Sequence, residues 1–301
     1  MQTHIVFDFM GFVVLNKSSF EDVIPIESFI IESSEMKLFY RTFGADHHQP
    51  IIILHGLLGI SDNWVTFARR IASYGFKVYL PDQRNHGQSP HSDTFNYLVM
   101  VDDLKEFMNS HNIEQPIIIG HSMGGKVAMR FALENQELLK KLVIVDISLR
   151  TYPPRFQHKA MIEAMRSIDL PTITSRKEIE DKLTEKLKSK KLVWFLMKNI
   201  HRIGKNQFQW RAYLDGILNN LDIMFDGVDT PLRFVKPTLF IKGGNSDYIQ
   251  YKDYDQIRYN FPMAEIIAIA DTSHWVQAEA PERFFQLVSG FVDEDATPDH
   301  T

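Results

Sequence analysis

The sequence predicts an α/β protein, with a mostly parallel, eight-stranded, doubly wound sheet and a helical cap inserted after the sixth strand. Three observations carry this expectation. Short aliphatic runs such as Ile51–Leu54 and 116–120 have the unbroken apolar character of strands buried on both faces. They alternate with amphipathic helical patterns, an order that requires right-handed crossovers and helices on both sides of the sheet. The alternation then lapses between Thr151 and Pro237, where helical spacing continues without a convincing strand.

Taken in order, residues 25–32 and 37–43 read as an antiparallel hairpin through the polar Ser33–Ser34–Glu35 turn. Ile51–Leu54 is a buried strand. A helix is expected over 62–74, with Asp62 at its N-cap and Gly75 at its stop. Strand 77–81 leads into the loop Asp82–Ser89 and then a helix over 96–111, whose apolar side carries Leu98, Val101, Leu104 and Met108. Strand 116–120 opens directly into His121–Gly125 and a helix through Leu133, and strand 142–147 closes this half. In the insertion, Ile179, Leu183 and Leu187 recur at helical spacing beside Lys and Glu. Strand 238–242, a helix over 253–260, strand 264–269 and a helix after Pro281 complete the sheet. The expected organisation is an N-terminal extension over 1–23, a core over 24–150 and 237–292, a cap over 151–236 and a polar tail over 293–301.

Composition narrows the function. The 301 residues are 44% hydrophobic and 24% charged, which is enough apolar material for a sizeable core. A formal net charge of −5 leaves no basic footprint for nucleic acid. The absence of cysteine excludes disulfides, a thiolate nucleophile and Cys-ligated metals. The apolar amino terminus contains Asp8, lacks a positive flank and is too short to span a bilayer, so it is not read as a signal peptide or a membrane span. The expected location is cytoplasmic by default.

Chemistry concentrates at Gly120-His121-Ser122-Met123-Gly124, a G-x-S-x-G sequence placed between a strand and a helix as a nucleophile elbow requires. A serine hydroxyl needs a base to take its proton. Of the twelve histidines, His274 follows the strand ending near Ala270 and comes after the serine in chain order. His121, adjacent to Ser122, is expected to point elsewhere. The oxyanion of acyl transfer needs pre-placed donors; the amides of Met123 and of Leu57, in His55–Gly59, are the candidates. The loop Asp82–Ser89 reads as a hydrogen-bonded scaffold beside them.

HGLLGISDNW, DQRNHGQS, GHSMGGK and DTSHW, in this order, resemble the α/β-hydrolase superfamily. Within it they are similar to the YbfF-type esterases and their eukaryotic relatives, which carry HGLxGxxxNW, DxRNHGxS and GHSMGGK. The likeness runs from about residue 25 to 292 and implies a serine hydrolase with an eight-stranded core, a helical cap and no metal or cofactor. Many superfamily members place the triad acid in a G-x-x-D turn, but here Gly243-Gly244-Asn245-Ser246 puts a serine in that slot and Asp247 one residue later. Asp146, at the end of strand 142–147, is the preferred acid; Asp247 is the alternative and Asp215 a more distant one.

The reading that follows is a carboxylesterase-type hydrolase of small or medium acyl esters or thioesters, with Ser122, His274 and Asp146 as the triad. Phe195, Trp210 and Trp275 are the expected substrate contacts, and a small acyl molecule is the expected partner. Two alternatives stand beside it: a carbon–carbon bond hydrolase with a pocket arginine (Arg155, Arg202 or Arg211), and a non-catalytic ligand-binding protein of the same fold. Oligomeric state is not legible, and the Lys182–Lys191 run reads as a solvated helix face.

Overall fold

A computed structural model of the chain describes residues 5–7, 13–15, 36–153 and 156–293. It divides into two units, Met1–Met36 and Lys37–Thr301. In the first, β1 (Ile5–Phe7) pairs antiparallel with β2 (Val13–Leu15). Residues 25–32, expected to form the first core strand, lie outside the described residues, as do 294–301, Pro154 and Arg155.

The second unit contains a seven-stranded sheet among the described residues. Its strands are β3 (Tyr40–Phe43), β4 (Gln49–Leu54), β5 (Phe76–Pro81), β6 (Ile117–His121), β7 (Lys141–Val145), β10 (Thr238–Gly243) and β11 (Ala264–Ile269), in the order β11-β10-β7-β6-β4-β5-β3. Only β3 runs antiparallel to its neighbour. Chain order reverses between β4 and β6. The crevice at such a switch point, beyond the carboxyl ends of the strands, is where open α/β sheets hold ligands. Ile51–Leu54, Ile117–Ile119 and Leu142–Val145 are all buried, as two-sided coverage demands.

Helices α1 (Val65–Ala72), α2 (Tyr97–Ser110), α3 (Met123–Glu134), α8 (Tyr254–Asn260), α9 (Val276–Glu279) and α10 (Pro281–Val292) belong to this layer. Asn96 caps α2 by accepting the Val99 amide at 3.1 Å. Asp62 does not cap α1. A single 3₁₀ turn, Ser61–Asn63, precedes the helix, Asn63 accepts the Ile60 amide at 2.8 Å, and Asp62 pairs instead with Arg41 at 2.7 Å.

Between β7 and β10 lie α4 (Phe156–Arg166), α5 (Arg176–Leu187), α6 (Lys190–Met197) and α7 (Leu214–Asn219). The expectation of helices alone is corrected here: β8 (Ile200–Gly204) and β9 (Gln207–Trp210) form an antiparallel hairpin. Only Ile200 and Phe208 are buried in it, so the apolar alternation that marks a half-buried strand is missing from the sequence. Its turn uses Asn206 at φ 57°, a left-handed position that asparagine tolerates. No helix among the described residues is long and apolar enough to cross a membrane.

Candidate active site

Ser122 sits between β6 and α3 with φ 53° and ψ −115°, outside the ordinary regions for a residue with a side chain. The strain is held by close backbone approach. A Cβ on Gly120 would run into the main chain of Gly124, and one on Gly124 would meet the Leu54 carbonyl. The two flanking glycines therefore let the start of α3 press against the ends of β6 and β4, and Ser122 is the residue lifted at the bend. The Ser122 amide donates to the Val145 carbonyl at 3.1 Å, fixing the bend to β7.

From this hydroxyl a line of hydrogen bonds runs inward. His274 Nε2 lies 3.0 Å from Ser122 Oγ, and His274 Nδ1 lies 2.8 Å from Asp146 Oδ2. Asp146 is fully buried at the end of β7, with φ 49°. It also accepts the Gly243 amide at 2.9 Å and the hydroxyl of Ser246. The serine in the G-x-x-D slot is thus a donor to the carboxylate on the neighbouring strand. Asp247 is exposed, and its carbonyl accepts Arg150 Nη2 at 3.0 Å. Asp215 pairs with Arg166 at 2.8 Å on the surface.

The imidazole is fixed on several sides. Tyr248 stacks on it with ring centroids 3.9 Å apart and planes 18° from parallel. The expectation that His121 points elsewhere is corrected here. His121 lines the cleft, and its Nε2–H donates to the His274 carbonyl at 2.9 Å. Neither partner had a sequence signal, since each meets His274 only through the tertiary fold.

The Leu57 loop is built from buried histidines. His55 Nε2 accepts the Gln83 amide at 2.9 Å, while its Nδ1–H donates to the Gly56 carbonyl at 2.9 Å. His86 Nε2 accepts the Leu58 amide at 3.0 Å, while its Nδ1–H donates to Arg84 at 2.8 Å. Leu58 itself is left-handed, at φ 59°. Its carbonyl accepts Asn199 Nδ2 at 2.8 Å, a strut from the segment between β7 and β10. Asp82 supports the same loop through the Ser61 amide at 2.6 Å and the Gln88 amide at 2.9 Å. Arg84 forks onto buried Asp103 through two bonds of 2.6 Å. Leu57 lines the cleft, and its amide donates to no oxygen among the described residues. Met123 opens α3, where first-turn N–H groups lack intrahelical acceptors.

Burial holds these scaffold histidines neutral, bringing His55 to about 4 and His86 and His121 to about 3. An unfolded chain takes up those protons near pH 6.5, so it binds more protons than the folded protein below that value. The stabilisation is complete above pH 6.5 and drains away as pH falls toward these depressed values. Melting temperature followed by circular dichroism is therefore expected to fall steadily from pH 7 to pH 4. A flat profile would contradict the neutral acceptor roles.

Lys126, the lysine of GHSMGGK, is buried and donates to three carbonyls: Leu149 at 3.0 Å, Arg150 at 2.6 Å and Asp226 at 2.9 Å. It thereby ties α3 to the chain just before the insertion and to Asp226 within it. Desolvation lowers it to about 7.

The cleft over Ser122 has a volume of about 240 Å³ and is walled by Leu57, Trp64, Met161, Trp194, Phe195 and Trp275. Phe195 and Trp275, expected to contact substrate, both line this cleft. Trp210 does not: it lines separate recesses, and its Nε1–H donates to the Met165 carbonyl at 3.1 Å. The hairpin carries it away from the cleft. Neither Arg202 nor Arg211 lines the cleft, and Arg155 lies outside the described residues.

Residues 49–281 match the α/β-hydrolase fold family. The chain is similar to a protein of Danio rerio named sn-1-specific diacylglycerol lipase ABHD11, with 36% identity over 86% of this chain and 84% of that one. It is 29% identical to Esterase YbfF of Escherichia coli (strain K12), over 86% of this chain and 100% of that one. A solved structure described as a marine microorganism esterase superposes with a TM-score of 0.81 at 41% identity, over 85% of this chain and 99% of the other.

Proposed function

This chain belongs to the α/β-hydrolase family and is a carboxylesterase-type hydrolase, and we propose that it cleaves small or medium acyl esters and thioesters through an acyl-enzyme on Ser122. The observation that carries this reading is the unbroken series from Ser122 Oγ to His274 at 3.0 Å and from His274 to Asp146 at 2.8 Å.

In the first half-reaction Ser122 Oγ attacks the acyl carbonyl while His274 Nε2 takes its proton. Asp146 holds the Nδ1–H tautomer and stabilises the imidazolium. The Leu57 and Met123 amides receive the oxyanion. Collapse of the tetrahedral intermediate breaks the bond to the alcohol or thiol, which leaves with the proton from His274. Water, activated by the same imidazole, then releases the acid and restores Ser122. The segment between β7 and β10 serves as the cap, and its α4 and α6 residues in the cleft wall favour a short or medium acyl chain. Diacylglycerol, named for the Danio rerio relative, is one ester to test. The carbon–carbon alternative gains nothing from the cleft, which no arginine among the described residues lines.

Rapid mixing with p-nitrophenyl butyrate tests the reading, with a burst of nitrophenolate stoichiometric with enzyme as the expected result. A fluorophosphonate probe is expected to add its mass to the peptide containing Ser122. Labelling of a different residue, or none in folded protein, overturns it.

A further inference from the structure

Helix α6 contributes Lys191, Trp194 and Phe195 to the cleft wall. Its inward side is buried through Leu192, Val193, Leu196 and Met197. Its outward stripe runs Lys191, Trp194, Lys198, one helical turn apart, and all three line the cleft. Lys191 lies 4.6 Å from the Trp275 ring beside His274 and pairs with Glu279. At the other end, Asn199 is fastened to the Leu57 loop through the Leu58 carbonyl. The stripe therefore reaches from the His274 side of the site to the oxyanion side.

Two features of this surface are out of keeping with a solvated helix face. Trp194, in the cleft wall, is 65% exposed. A large aromatic group thus stands in water at the entrance. It is also set in concentrated positive charge. Residues 182–198 contain six lysines and one glutamate, in a chain whose net charge is −5. Lys182, Lys186, Lys188, Lys190 and Lys198 are exposed and have no ion pair among the described residues.

We infer that the outward face of α6, with the α5–α6 junction, docks the protein on an anionic lipid surface with the cleft mouth facing the acyl chains. Indole is suited to the headgroup boundary, where its apolar body and polar N–H are both accommodated. Lysines close to an anionic bilayer each strengthen binding by about 1 kcal/mol, a factor of about five. An acidic protein or a nucleic acid would answer the lysines alone. The exposed Trp194 at the entrance favours the lipid surface, into which it can insert. This inference rests on the proposed ester hydrolysis, because it supplies a route for acyl substrates from the bilayer to Ser122.

Co-sedimentation with phosphatidylcholine vesicles, with and without phosphatidylglycerol, tests the docking. The wild-type protein is expected to bind the anionic vesicles in preference, and added salt to weaken that binding. The Lys188→Glu/Lys190→Glu pair is expected to lower the partition coefficient at least tenfold, since two charges are reversed. Trp194→Ala is expected to lower it several-fold, and Trp194→Phe to reduce the quenching of tryptophan emission by brominated lipid. Melting temperatures verify that each variant is folded. Equal binding to neutral and anionic vesicles overturns the inference. So does a partition coefficient that responds to the lysine pair but not to Trp194, which assigns the patch to an acidic macromolecule. Turnover of a water-soluble ester without vesicles is read separately. Normal turnover without vesicle binding sinks the docking alone, and vesicle binding without turnover sinks the proposed chemistry alone.

Discussion

Replacing Ser122 with alanine is expected to lower kcat for p-nitrophenyl butyrate about a million-fold, the loss found when a member of a cooperating serine–histidine unit is removed. The residual rate would come from substrate binding and the oxyanion amides, which the substitution leaves in place. Alanine retains the Cβ, so the strained φ of 53° costs the variant about what it costs the parent. The melting temperature is therefore expected to stay close to wild type, separating loss of chemistry from loss of fold. Steady-state assay beside a thermal melt checks both. A folded Ser122→Ala protein retaining more than a trace of turnover would remove the acyl-enzyme from the account.

Asp146→Asn carries the second largest effect, with kcat expected to drop about ten-thousand-fold through the wrong histidine tautomer. Asp146 faces three donors: His274 Nδ1–H, the Gly243 amide and the Ser246 hydroxyl. An asparagine there turns either an oxygen or an N–H₂ toward His274. The second choice drives the ring proton to Nε2, where it can no longer accept from Ser122. Asp247→Asn is the matched control. That side chain is on the exposed part of the turn, and turnover is expected to remain within about twofold, as for a surface substitution. Parallel kinetics of the two variants decide the acid; a larger loss from Asp247→Asn reverses the assignment.

The parallel core was legible because its strands are buried on both faces, which compels unbroken runs such as Ile51–Leu54 and Ile117–Ile119. The serine was legible for a related reason, since an elbow that packs backbone on backbone admits only glycine at 120 and 124. The β8–β9 hairpin escaped because most of its side chains face water, leaving composition no pattern to display. Trp210 went with it, an aromatic in the right segment but on the wrong element. Tyr248, His121 and Asn199 stayed hidden because each acts through contacts made by the tertiary fold, and such contacts impose no local spacing. Ser246 could be seen to break the G-x-x-D pattern, but only the neighbouring strand reveals what the hydroxyl is for.

The bond from Asn199 to the Leu58 carbonyl has a practical bearing on engineering. The segment between β7 and β10 is joined to the Leu57 loop at that bond. On the proposed mechanism, exchanging the segment for a relative's is expected to loosen the loop unless an equivalent amide comes with it. Libraries that randomise the segment are therefore best built with position 199 untouched.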